Sequence, residues 1–225
     1  MPLKKHYIDF QYGNGNQVTP DEMDQYTIYT VSNPAISATF LGSVTAGTVS
    51  QVVAIGLGNT QLDYPRSIAA IWSGSAAVSG TVNVVGEDQF GVARTESLAL
   101  AQGTQTAGTA NGTIPFSHVT AATISYGTGV IGTGTTSLGL AIAGTNALFG
   151  LPVKIGKTSD VKRITWTNNG LAVAINGGTI SADYVSTANH TFAGTATLAG
   201  TQSYQVWVKS TWRAVNDSSA TISNL

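Results

Sequence analysis

The chain has 225 residues, of which only 9% are charged and 42% hydrophobic, with a formal net charge of −1 and no cysteine. An ordinary soluble domain carries about 25% charged residues. These figures exclude a disulfide scaffold, a thiolate metal site, a cysteine nucleophile, intrinsic disorder and phosphate-driven binding of nucleic acid.

Residues 1–18 are polar and rich in Gly and Asn, with spaced aromatics. They read as an extended N-terminal arm laid on its own domain or on a neighbouring subunit, with strand addition to a sheet edge as a natural mode. Its candidate contact residues are Lys4, Lys5, Tyr7, Phe10 and Tyr12. Lys4 and Lys5 give a basic start, but no apolar run of about 7–15 residues follows, as a signal peptide requires. Nor does any stretch reach the roughly 18 apolar residues of a membrane helix. The expectation is a protein made in a cytoplasm, not exported by the usual route, with no membrane partner.

Thr19-Pro20-Asp21-Glu22 is a helix start: a capping Thr, Pro at the first helical position, and acids in the first turn. The β-like Tyr26–Val31 follows at once, so this helix is short. Dipole complementation accounts for Asp21, Glu22 and Asp24 better than metal ligation does.

From there strand signals dominate, with 31 threonines among them. Predicted strands are 27–31, 36–41, 49–57, 67–72, 80–85, 92–100, 120–126, 138–142, 161–167, 171–175, 179–185, 191–198 and 204–212. In the last, Tyr204, Val206 and Val208 alternate with Gln205, Trp207 and Lys209, a period of 2 that fits a strand covered on both faces. Gly86–Gly91 reads as a hairpin loop, and Asn169-Gly170 and Asn176-Gly177 as tight turns. The expected fold is all-β: an antiparallel β-sandwich or jelly-roll-like barrel with an extended N-terminal arm and one short helix. The β-rich domain spans 19–225, divisible into sub-modules at about 19–63 and 64–225.

The few charges are unevenly placed. Residues 25–62 contain none, and neither do residues 97–153. A solvent-facing monomer needs interspersed charge, and depletion of charge marks interface cores. These blocks are expected to be covered by other subunits.

Motifs for chemistry are weak. Gly127-Thr-Gly-Val-Ile-Gly132 matches G-x-G-x-x-G, but a poor helix former follows and no acid appears before Asp160. His6, His118 and His190 have no chelating spacing. No G-x-S-x-G elbow is present. His118 reads as a structural histidine. Glu87-Asp88 reads as solvated turn chemistry rather than as half of a glycosidase pair. Trp72, Trp166, Trp207 and Trp212 read first as core packing and second as a sugar-stacking platform. The sequons at Asn111, Asn189 and Asn216 carry no weight without export. No catalytic residue, cofactor or metal is assigned.

Three stretches carry a resemblance. They are Tyr64-Pro-Arg-Ser67 through Gly86-Glu-Asp-Gln-Phe-Gly91 to Leu100; Phe116-Ser-His-Val-Thr-Ala-Ala-Thr-Ile124 followed by a Gly/Thr-rich loop closing on Leu148-Phe-Gly-Leu-Pro152; and Gly178–Val185 through Gly200-Thr-Gln-Ser-Tyr204 to Trp212. Together they are similar to a module of tailed-bacteriophage head proteins and resemble capsid decoration (cement) proteins. The loop before Gly150-Leu-Pro departs from that module, which often has an acid where this chain has Ala143-Gly-Thr-Asn-Ala147. The resemblance implies a non-enzymatic β-rich virion protein bound to the outside of a capsid, commonly as a homotrimer. Its partners would be the major capsid protein and copies of itself. Lys4, Lys5, Tyr7, Phe10 and Tyr12 would then touch capsid or neighbour. The alternative is a receptor- or glycan-binding module of a head or tail fibre.

Overall fold

The computed structural model describes residues 26–45, 51–74, 79–100, 107–127, 134–141, 147–168, 171–177, 185–194 and 198–209. The arm, the helix start at Thr19 and the five arm contact residues lie outside this set. The fold is all-β and antiparallel. Its strands are β1 (Tyr26–Ser32), β2 (Gly42–Thr45), β3 (Val52–Ala54), β4 (Gln61–Arg66), β5 (Ile68–Gly74), β6 (Gly80–Asp88), β7 (Ala93–Leu100) and β8 (Ala107–Asn111). They continue as β9 (Phe116–Tyr126), β10 (Gly134–Leu140), β11 (Leu148–Gly150), β12 (Val161–Asn168), β13 (Leu171–Gly177), β14 (Val185–Ser186), β15 (Thr191–Ala193) and β16 (Gln202–Lys209). A 3-10 turn, Thr158–Asp160, precedes β12.

These strands form three sheets. One has the order β1-β16-β12-β13, the second β2-β10-β5-β8, and the third β14-β15-β11-β4-β9-β6-β7 with β3 also on β9. β1, β2 and β3 thus join three different sheets, each pairing with a strand from the rest of the chain.

Period 2 decides which residues go inside. In β6, Val82, Val84, Gly86 and Asp88 face inward while Val85 and Glu87 are exposed. The first core lies between the second and third sheets, around Leu41, Ile68, Trp72, Val82, Val84, Phe116, Ile124, Leu138 and Leu140. The second lies between the first sheet and the β14-β15-β11 end of the third, around Val31, Phe149, Leu151, Ile164, Phe192, Tyr204 and Val206. Phe149 stacks on Phe192 with centroids 5.3 Å apart, and Tyr204 lies 5.8 Å from Phe149. Burial pushes the Tyr204 phenol up to about 12.

Several sequence expectations are corrected. Residues 36–41 form bends, not a strand. Asn33 has φ 46° and Pro34 follows. The segment still crosses β10, with Leu41 N–H donating to the Leu138 carbonyl (3.0 Å) and Leu140 N–H to that of Ser37 (3.0 Å). Of the described residues 51–57, Val52–Ala54 is the strand, and Leu57 makes an isolated bridge to Gly42. Asn176-Gly177 is no turn; both residues lie in β13, opposite Ile164 and Arg163. The expected turn at Asn169-Gly170 lies outside the described residues, while the register sets Asn168 opposite Leu171. The strand expected over 191–198 is described only as Thr191–Ala193. β2, GSVT, was unexpected, and so were β4, β8 and β11. Their sequences QLDYPR, AGTAN and LFG hold a proline, few branched residues or only three positions. Pro65 is tolerated because β4 pairs with β9 only at Gln61 and Arg66.

Candidate interaction surface

The two charge-free blocks meet in two sheets, where β3 pairs with β9 and where β2 pairs with β10, and only the second of these sheets is built wholly of uncharged strands. β2 comes from the first block and β8 and β10 from the second, and β5 joins them. The four strands, GSVT, IAAIWSG, AGTAN and GTTSLGL, contain no charged residue. Their inner side supplies Ile68, Ala70, Trp72, Leu138 and Leu140 to the first core. On the outer side, the register aligns Thr45, Thr135, Ser73 and Ala107 in one row, all exposed. The next row is Ser43, Ser137, Ile71 and Thr109, exposed at its ends and half-buried in the middle. The result is a neutral, hydroxyl-lined face about 14 Å wide at the usual strand spacing.

Three of the described carboxylates accept from backbone N–H groups. Asp63 accepts from Ala35 N–H (2.7 Å), Glu96 from the N–H groups of Thr113 and Ile114, and Asp160 from those of Gly156 (2.8 Å) and Lys157 (3.0 Å). Each holds a loop. Among the described residues no three His, Asp or Glu side chains gather as a metal site.

Asp88 is corrected from solvated turn residue to buried anchor, with 3% exposure. The strand continues to Asp88, so its side chain faces inward like that of Val84. It accepts from Phe90 N–H (2.8 Å), Val92 N–H (3.0 Å) and Arg94 Nε (2.8 Å). Burial alone would raise its pKa, but these three donors outweigh that and hold the carboxyl below its ordinary value. Gly91, at φ 72°, closes the expected hairpin where a side chain would be strained. Glu87 too belongs to β6 and not to the turn, paired with Ala93 and His118, but its side chain is exposed.

This hairpin is also where the three quoted stretches meet. Gln89 Nε2 donates to the carbonyls of Asn189 (3.0 Å) and His190 (3.3 Å). Leu151 N–H donates to the His190 carbonyl (2.8 Å), and Gln89 packs against Gly150. His190 is held at φ 51°, its Nδ1 accepting from Ile155 N–H (3.2 Å) and its ring edge-on to Phe90 at 5.6 Å. Burial lowers the pKa of its imidazole, and Lys154 and Arg94 push it the same way, while Asp88 opposes them. His118 sits half-buried in β9 opposite Gln61 and Glu87. Asn189 Nδ2 donates to the Thr113 carbonyl (2.9 Å), so that sequon side chain has a structural use.

The tryptophans divide. Trp72 is 3% exposed in the first core, and Trp166 stacks on Tyr204 at 6.3 Å in the second. Trp212 and residues 128–132 of the glycine motif lie outside the described residues. Trp207 is the exception that alternation alone did not distinguish. It stands half-buried on the outer side of β16, with Ile28 opposite on β1 and Arg163 opposite on β12. The Arg163 guanidinium lies 5.1 Å from the centre of the Trp207 ring. Gln205, expected to be covered, is exposed beside it.

An antiparallel all-β protein with a neutral sheet face is the class that these features define. No known family matches the chain, and neither curated proteins nor solved structures give a significant match. Among the described residues no helix is long and apolar enough to cross a membrane.

Proposed function

We propose that the protein is a non-enzymatic virion structural protein that binds the outside of a phage capsid and stabilises the shell. The major capsid protein and copies of this chain, as a homotrimer, are its partners. The observation that carries this reading is the convergence of both charge-free blocks on the outer face of β2-β10-β5-β8. A neutral face of Ser and Thr suits contact with an identical copy, because no like charges are brought together and every hydroxyl both donates and accepts. Binding only the assembled shell would stabilise it by mass action, without chemistry.

The test places a charge on that face. Thr135→Lys and Thr109→Lys are expected to leave the fold intact and the oligomer broken in sedimentation, with reduced occupancy on capsids. An unchanged oligomer for both variants refutes the reading. The second reading, a receptor- or glycan-binding module of a head or tail fibre, is favoured by the outer face around Trp207. Copy number separates the two: hundreds per particle for a decoration protein, a few to some tens for a fibre.

A further inference from the structure

The sheet β1-β16-β12-β13 is unlike the neutral one. Its strands carry Lys162, Arg163 and Lys209 and no Asp or Glu. Its inner side is committed to the second core through Val31, Ile164, Tyr204 and Val206. On its outer side, Ile28, Trp207 and Arg163 form one cross-strand row, and Ile28 is 54% exposed. The adjacent row is Thr30, Gln205 and Thr165, three hydrogen-bonding side chains at the next step of the pleat.

Arg163 is exposed and makes no ion pair among the described residues; its charge rests on the indole instead. A guanidinium held over an aromatic ring keeps its in-plane N–H donors free for a planar carboxylate. Beside it, Trp207 and Ile28 offer apolar area on which the C–H face of a sugar ring can lie. Thr30, Gln205 and Thr165 stand where ring hydroxyls would follow. Three cations are too few for the roughly 6–10 phosphate contacts of a typical nucleic-acid site. They match the sparser charge of a polymer with one carboxylate per sugar.

We propose that this face binds an acidic polysaccharide, with sugar rings against Trp207 and Ile28 and a carboxylate on Arg163. The inference does not rest on capsid decoration, and its test uses the free protein, so either can fail alone. In affinity electrophoresis of the full chain, polygalacturonate should retard migration. Its methyl ester, with the same rings but no charge, should bind at least about tenfold more weakly. Arg163→Gln and Trp207→Ala should each weaken polygalacturonate binding by about tenfold or more, and Arg163→Lys by less. Arg163 is exposed, so Arg163→Gln keeps the test valid if Trp207→Ala fails to fold. No retardation by polygalacturonate overturns the proposal, as do equal binding of the ester and variants that bind normally. Equally tight binding of an oligothymidylate also overturns it, because the face would then be a general anion patch.

Discussion

The Arg66 guanidinium lies 5.0 Å from the centre of the Phe149 ring, and the two residues are partners across β4 and β11. On its other flank Arg66 is paired with Phe116 of β9. Phe116 belongs to the first core and Phe149 to the second, so a residue only 1% exposed marks the seam between them. One guanidinium reaches three elements: Nη1 donates to the Ala35 carbonyl (2.9 Å), Nη2 to the Ala141 carbonyl (3.1 Å), and Nη1 lies 3.4 Å from Asp63. Burial disfavours its charge, and Asp63 opposes that penalty.

Arg66→Met is therefore expected to destabilise the fold by about 3 kcal/mol, since two carbonyls lose their donor and Asp63 its counter-ion. Arg66→Lys should recover only part, because an ammonium cannot span both carbonyls as the planar fork does. Urea unfolding checks both. A midpoint unchanged in Arg66→Met would remove the residue from this role.

Acid should weaken the fold over two separable pH ranges. His190 has a lowered pKa in the fold, so the unfolded chain takes up a proton first. Its contribution is intact above the ordinary histidine value of about 6.5 and is lost as pH falls from there towards the folded value. Asp88 also has a lowered pKa, so its contribution is intact above the ordinary carboxylate value of about 4 and fades below it. His190→Asn should flatten the upper step, and Asn accepts the left-handed backbone at φ 51°. Asp88→Asn should flatten the lower one at the expense of overall stability. Thermal midpoints measured from pH 8 to pH 3 give the comparison; an unaltered upper step in His190→Asn contradicts the assignment.

How far the sequence could be read follows from what each element depends on. β6, β16 and the second half of β9 are readable because Val, Ile, Thr and aromatic residues recur along them at strand spacing, whereas Phe116–Val119 of β9 is missed. β4 and β11 are not readable, because a strand containing Pro65 and a three-residue strand owe their pairing to Arg66 and Phe149, partners far away in sequence. Asp88 was misread because its neighbours Gly86 and Gly91 signal a turn, while the strand period runs two residues further than that signal suggests. The uncharged blocks were plain in the sequence, but nothing local said that they would share a sheet. The row of Ile28, Trp207 and Arg163 was hidden for the same reason: it exists only across three strands.

Steric crowding gives the third prediction. A Cβ at Gly108 would lie 2.2 Å from the Trp72 ring, whereas one at Gly56 meets nothing within 4 Å. Trp72 is buried and packed against the first core, so it cannot swing aside cheaply. Gly108→Ala should destabilise by about 1–3 kcal/mol while Gly56→Ala stays near neutral. Equal melting temperatures for the two variants would show that β8 can move away from Trp72.

The last prediction concerns attachment. Two exposed rows across four strands cover roughly 200 Å² at ordinary strand spacing, against the roughly 800 Å² per partner of a standard interface. A decoration protein held only by the neutral face would bind weakly, so the proposed arm must supply much of the remaining contact. Deleting residues 1–18 should leave a folded protein whose occupancy on capsids falls sharply. Where the contact is mainly apolar burial and backbone hydrogen bonding, raising salt to about 1 M should leave the full chain attached, since screening acts on charge pairs. Undiminished occupancy of the truncated chain would place the attachment elsewhere, and release of the full chain by salt would make it electrostatic. In the second case the cations of the first sheet, Arg163 among them, become the residues to substitute next.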